Sequence, residues 1–216
     1  MKQLSLTIMM LLAALAMGGC ASEEPSAPET AVASIVTYES TSGGTSVFSY
    51  TDGNDETVTL TGSWSGRDDI APGSRMLIHY RTQAYGVSGP VELISIMPVP
   101  GGNPETADAG AITPSEPLGR CVMWRSGQYL NLSATVSFAG KARKVALCVD
   151  ASTAGLPQPT AHVVVTAAAD SPVGSAERQL YASWNIASIL EAPANEGLKV
   201  VYTDSRGNES EIIISK

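Results

Sequence analysis

Large aromatic side chains are scarce in this chain: three Trp, two Phe and seven Tyr make up 6% of its 216 residues. Core packing is therefore the first use expected of each tryptophan, because few other large residues can fill a core. Histidine is scarcer still, with only His79 and His162. No H-E-x-x-H, paired C-x-x-C, phosphate-cradling glycine loop or dinucleotide fingerprint occurs, so no motif commits the chain to those chemistries. Charged residues are 16%, with 13 basic against 21 acidic, and no basic stripe could neutralise a phosphate backbone. That excludes nucleic acid as the expected partner. Long apolar runs are missing too. The one candidate, Leu4 to Met17, is broken by Ser5 and Thr7 and falls short of the 18 or more residues of a spanning helix.

What that run does have is the form of a secretion signal. Lys2 precedes it, and the small residues Gly18 and Gly19 follow it, immediately before Cys20. Small side chains leave the backbone open to a cleavage enzyme, and the Cys20 thiol can then carry a diacylglycerol thioether. LAMGGC resembles a bacterial lipoprotein box, with Met17 where Leu or Val is more usual. Residues 1–19 are read as the signal peptide and Cys20 as the lipidation site. Each buried methylene adds about 0.8 kcal/mol, so three acyl chains make a durable membrane anchor. Ala21, rather than Asp, follows the cysteine, and Glu23 and Glu24 come next. This pattern fits an outer-membrane address, with the acidic pair serving either as a surface-export tract or as a solvated charge pair.

The remaining 197 residues favour β structure, being rich in Val, Ile, Thr, Ser and Gly. Residues 20–33, with Pro, Ser, Glu and Ala dominant, read as a disordered tether. Residues 99–118 repeat that composition and read as a linker. They separate a block at 34–98 from one at 119–216. Charge is uneven: residues 31–98 carry a net −4, and residues 119–216 a net +1. With Cys20 assigned, Cys121 and Cys148 are left either as a disulfide or as two buried thiols.

Five short strands are expected in the first block. SVFSY and ETVTL flank TDGND, where Asp52-Gly53 can supply positive φ for a tight hairpin. RMLIHYR places Met76, Ile78 and Tyr80 on one face and Arg75, His79 and Arg81 on the other; APGS before it is a turn, and VELISIM after it a strand. Such a set suits a small barrel, which leaves little unpaired edge. In the second block, CVMWRSGQYLNLSATVSF, RKVALCVD, HVVVTAA, RQLYASW and a closing hairpin about SRGN read as six or seven strands of an antiparallel sandwich. His162 faces outward there, and only NIASILE suggests a helical turn. The fold expected is all-β: an OB-like barrel, then a sandwich.

IAPGSRMLIHYR followed by ELISIM, then WRSGQYLNL, SWNIASIL and GLKVVYTDSRGNESEIII, in this order over nearly the whole mature chain, resemble the NigD-like lipoproteins. The resemblance implies an N-terminal OB-type barrel, a C-terminal sandwich and no established activity. The family's association with bacteriocin gene clusters implies immunity as one alternative role. A Cys121–Cys148 bridge is no part of the family's pattern.

Candidate chemistry is thin. GSWSG at residues 62–66 resembles a nucleophile elbow but has Trp64 where the serine should stand. Asp52, Asn54, Asp55 and Glu56 offer oxygen atoms without calcium-loop spacing, and a polar turn explains them. His79 and His162 lie on different blocks, which argues against a shared metal. Lys141, Arg143 and Lys144 crowd one turn and could meet anionic lipid heads or glycans, or simply be solvated. The candidate binding surface is aromatic: Trp64, Trp124, Tyr129 and Trp184, as a glycan platform or protein anchors. The function expected is a membrane-anchored, non-enzymatic binding or accessory module, without cofactor or metal. Its partner would be an envelope protein or an extracellular ligand such as a glycan. The alternatives are immunity or a hydrolase assembled across both blocks.

Overall fold

The computed structural model describes residues 30–216 apart from 68, 114, 139–142 and 167–175; the expected signal peptide, Cys20 and Lys141 lie outside the described residues. The first unit has six strands: β1 (Thr30–Ser42), β2 (Thr45–Thr51), β3 (Thr57–Ser63), β4 (Arg75–Thr82), β5 (Gly89–Pro90) and β6 (Glu92–Pro98). Their order in the sheet is β5-β3-β2-β1-β4-β6. The two outermost strands, β5 and β6, are separated in the chain by Val91 alone, whose N–H donates to Thr61 O at 2.8 Å. The sheet therefore curls until its edges meet. At the seam a Cβ on Gly62 would lie 2.5 Å from the Leu93 side chain, so this crossing depends on glycine.

Period-2 alternation fills the barrel with Val36 and Tyr38, Phe48 and Tyr50, Val58 and Leu60, and Met76, Ile78 and Tyr80. The expected inward face of RMLIHYR is the observed one. Pro72 and Gly73 form the expected turn, with Ser74 N–H donating to Ala71 O at 3.1 Å and Gly73 at φ 88°. The 52–56 loop differs from expectation. Positive φ falls on Asp55 (61°), and the Asp52 carboxylate holds the loop by accepting the Asn54 and Glu56 N–H groups. The first four residues of β1, Thr30–Ala33, fall within the expected tether but pair with β4.

The second unit stacks two sheets. One has the order β7-β13-β10-β9, from β7 (Gly101–Gly102), β9 (Gly119–Ser126), β10 (Tyr129–Phe138) and β13 (Ala176–Asn185). The other is β15-β14-β12-β11-β8, from β8 (Glu105–Ala107), β11 (Lys144–Asp150), β12 (Thr160–Thr166), β14 (Gly197–Thr203) and β15 (Glu209–Ser215). Leu130, Leu132, Ala182 and Trp184 from the first sheet meet Leu147, Val163, Val165, Leu198 and Val200 from the second. A single helical turn, α1 (Ala187–Leu190), lies within the expected NIASILE segment. The sandwich is mixed rather than antiparallel, because β7, β8 and the β12–β14 pair run parallel.

Two of those parallel strands correct the linker expected at 99–118. That segment supplies an edge strand to each sheet, and Glu116 and Leu118 N–H donate to Val165 O and Thr203 O. Pro and Gly composition reports where a chain turns; ladder bonds come from the backbone, which every residue but Pro can donate. The disulfide also fails to form, since Cys121 and Cys148 are free. Cys121 packs against the sandwich core from β9. Cys148 lies between the core-facing Leu147 and Val149, so alternation turns its thiol to the opposite face of its sheet. Burial pushes both thiols up in pKa, Cys121 to about 11. No helix among the described residues is long and apolar enough to cross a membrane.

Candidate functional site

The outward face of the barrel's β1–β4 pair is not a solvent face. Ile35 and Leu77, paired across those strands, form a small apolar cluster with Val99 and with Tyr181 of the sandwich. Arg75 lies on the same face two residues before Leu77. The placement of Arg75 with the outward residues of β4 was right, but that face is covered and Arg75 is only 8% exposed.

Its guanidinium ties the two units together. Nε donates to Ser183 Oγ at 2.9 Å and Nη1 to Thr37 Oγ1 at 2.7 Å. Nη2 donates to Asn131 Oδ1 at 3.1 Å and to Ile35 O at 3.3 Å. Ser183 Oγ also donates to Asn131 Oδ1 at 2.8 Å, so β10 and β13 hold the acceptors in register. The guanidinium carbon stands 4.0 Å from the centre of the Tyr129 ring. Of five N–H donors this leaves one, on Nη1. No carboxylate among the described residues forms an ion pair with Arg75. Burial pushes its pKa down to about 10, against smaller opposing effects of Tyr129 and Glu39, so it stays cationic at neutral pH.

Open space flanks this cation on both sides. One cavity of about 470 Å³ is lined from the barrel by Glu39, Ser49, Tyr50 and Thr57, and from the sandwich by Ser126 and Gln128. Another, of about 430 Å³, lies towards Gly73, Asn103 and Asn185. Arg75 and Tyr129 line both. Around the first, the Glu39 carboxylate accepts the Ser49 hydroxyl. Tyr50 borders this cavity, while its side chain packs in the barrel core near Tyr80, where burial above all raises the pKa of its hydroxyl. Asn131 Nδ2, beside Arg75, is buried and unpartnered. The rim is pinned by Ser126 Oγ, which donates to Thr51 O at 2.7 Å, and by the Arg125–Asp55 ion pair at 3.0 Å.

The aromatic candidates do not converge. Trp184 is 1% exposed in the sandwich core. Trp64 packs on the barrel core, edge-on to Tyr38 with ring centres 5.4 Å apart. Trp124, 37% exposed, faces outward from edge strand β9, and only Tyr129 lines the cleft. His79 bonds Ser95 Oγ at 2.7 Å on the barrel, and His162 lies on the sandwich strand β12; neither lines the two cavities beside Arg75. Of the calcium candidates, Asp52 is occupied by its own loop and Asp55 by Arg125. Among the described residues no group of three metal-binding side chains occurs. The basic turn is not a free cluster either, because buried Arg143 pairs with Glu116 at 2.6 Å.

Arg75, Glu39, Tyr50, Asn131 and Ser183 were missed by motif reasoning. The signal for Arg75 was present: Met76, Leu77 and Ile78 are consecutive apolar residues, which in a strand means burial on both faces.

A closed barrel strapped to a mixed sandwich defines a two-unit all-β architecture found in solved proteins of Bacteroides species. One is a protein of unknown function from Bacteroides vulgatus, 17% identical, covering 87% of this chain and 91% of its own, with a TM-score of 0.63. A NigD-like immunity protein from Bacteroides caccae is 18% identical over 84% of this chain and 91% of its own, with a TM-score of 0.59. A provisionally assigned lipoprotein from Bacteroides fragilis is 12% identical over 86% and 97%, with a TM-score of 0.60. The chain shares the fold of these NigD-like and related proteins. No protein-family model matches it, and neither does any curated protein.

Proposed function

We propose that this chain is a lipid-anchored, non-enzymatic binding module of the bacterial cell envelope, which takes its ligand in the cleft between barrel and sandwich. The observation that carries this reading is Arg75, a buried cation without an ion-pair partner, in an open cleft built by both units. A guanidinium used only to dock two units is normally neutralised where it is desolvated, because an unpaired buried charge is expensive. The lipoprotein-like neighbour supports the envelope address, and the Cys20 box supports the outer-membrane anchor. A hydrolytic reading has less support, since the His79–Ser95 pair stands away from the cleft.

The test is a photo-crosslinking side chain at Gln128, a cleft residue exposed to solvent, in the full-length protein on intact cells. An adduct is expected from position 128 and not from Arg206 on the β14–β15 turn. Equal yield from both positions would sink the cleft as the binding site. Immunity is favoured by one observation, the name of the Bacteroides caccae neighbour. Its test is selective survival of carrier cells exposed to a bacteriocin.

The anchor and the thiols can be checked together. Denatured, unreduced protein alkylated with iodoacetamide should gain two adducts, on Cys121 and Cys148, with Cys20 blocked by lipid. No adducts on these two would show a bridge, and a third adduct would show Cys20 unacylated.

A further inference from the structure

Resting on the cleft reading, we infer that the ligand is an acidic saccharide whose carboxylate meets the Arg75 guanidinium. The charge argument comes first. Arg75 has no ion-pair partner among the described residues, and its fifth N–H is left after Ser183, Thr37, Asn131 and Ile35 take the other four. A planar guanidinium with a donor to spare suits an oxyanion, and such charge-assisted bonds are roughly twice as strong as neutral ones. Glu39 lines the same cavity and narrows the class. A doubly charged phosphate doubles both the attraction of Arg75 and the repulsion of Glu39, but its desolvation cost grows as the square of its charge, so a single carboxylate suits this half-enclosed cleft better.

The lining defines the rest of the molecule. Thr51, Thr57 and the Gln128 amide offer hydroxyl and amide groups that both donate and accept, and the Ser49 hydroxyl, which donates to Glu39, can still accept. Such walls match a polyhydroxylated body better than a lipid chain, whose burial calls for apolar surface. A cavity of about 470 Å³ is on the scale of about one or two hexose rings.

The experiment is calorimetric titration of the detergent-solubilised full-length lipoprotein with galacturonate and an unsaturated hyaluronan disaccharide, each of which carries one carboxylate. The uncharged methyl ester of each is the control. Acid should bind at least about tenfold tighter than ester, with the difference shrinking as salt rises. Arg75→Gln should abolish the preference, but that change also loosens the docking of the two units. Glu39→Gln is therefore the decisive variant, because Glu39 is exposed and the amide removes its charge while keeping an oxygen to accept the Ser49 hydroxyl. It should tighten acid binding about threefold to tenfold relative to the esters, because only the acids feel the charge that is lost. Equal affinity for acids and esters would overturn the acidic class while leaving the cleft reading standing. Failure of all four compounds with a Gln128 adduct still formed would do the same. Failure of both experiments would remove the cleft reading itself.

Discussion

Arg75→Ala should lower the stability of the folded chain by about 2–4 kcal/mol in denaturant unfolding. The expectation rests on what the substitution leaves behind. Asn131 Oδ1, Ile35 O and Thr37 Oγ1 each lose a charged donor at 2.7 to 3.3 Å, and the first two are buried. The Tyr129 ring loses the cation stacked against it. Arg75→Lys should recover only a small part of the loss, because an ammonium cannot reach acceptors on β1, β10 and β13 from one position. A loss under about 0.5 kcal/mol, the range of ordinary surface changes, would mean that the two units dock without it.

Gly101→Ala is the second large effect, of about 1–3 kcal/mol. A Cβ at this position would stand 1.7 Å from the backbone oxygen of Ser183, the residue that pairs with Gly101 across β7 and β13. Nothing there can give way as a flexible side chain would, so β7 must lift from the sheet. Ser183 also accepts from Arg75, so the disturbance should spread to the docking contact. Gly110→Ala is the matched control from the same segment. Its Cβ would meet nothing within 4 Å, and it should unfold as the wild type does. Equal stability of the two variants would show that β7 contributes nothing to the fold.

Local alternation was legible in the sequence on the core-facing side of the strands. Met76, Ile78 and Tyr80 in the barrel, and Ala161, Val163 and Val165 in the sandwich, are buried as their period-2 spacing predicts. The closing turn was legible for another reason: Asp204 accepts the N–H of Arg206 and Asn208, a bond pattern its residue types favour. Legibility ended where burial comes from another unit. Arg75 has a surface residue's composition and a buried residue's position, and the sandwich strands that cover it begin more than fifty residues later. The aromatic residues do not mark the cleft, because Trp64 and Trp184 pack on cores, while the cleft is walled by hydroxyl and amide groups no motif describes. The short strands β7 and β8 were hidden because Gly101, Gly102 and Glu105 have low strand propensity and are held by their partners' backbones.

Those two short strands also set an order on how the chain can mature. A polypeptide leaves the ribosome from its N-terminal end, and β1 to β6 find all their sheet partners among themselves. The barrel can close as soon as Pro98 is out. The strap that follows cannot: residues 105–107 wait for Cys148 to Asp150, and residues 101–102 for Ser183 and Trp184. Until then the segment beside the finished barrel is a loose thread, open to proteases and chaperones. The docking seam around Arg75 is completed only when β13 arrives, so the cleft comes into being only in a chain that is nearly whole.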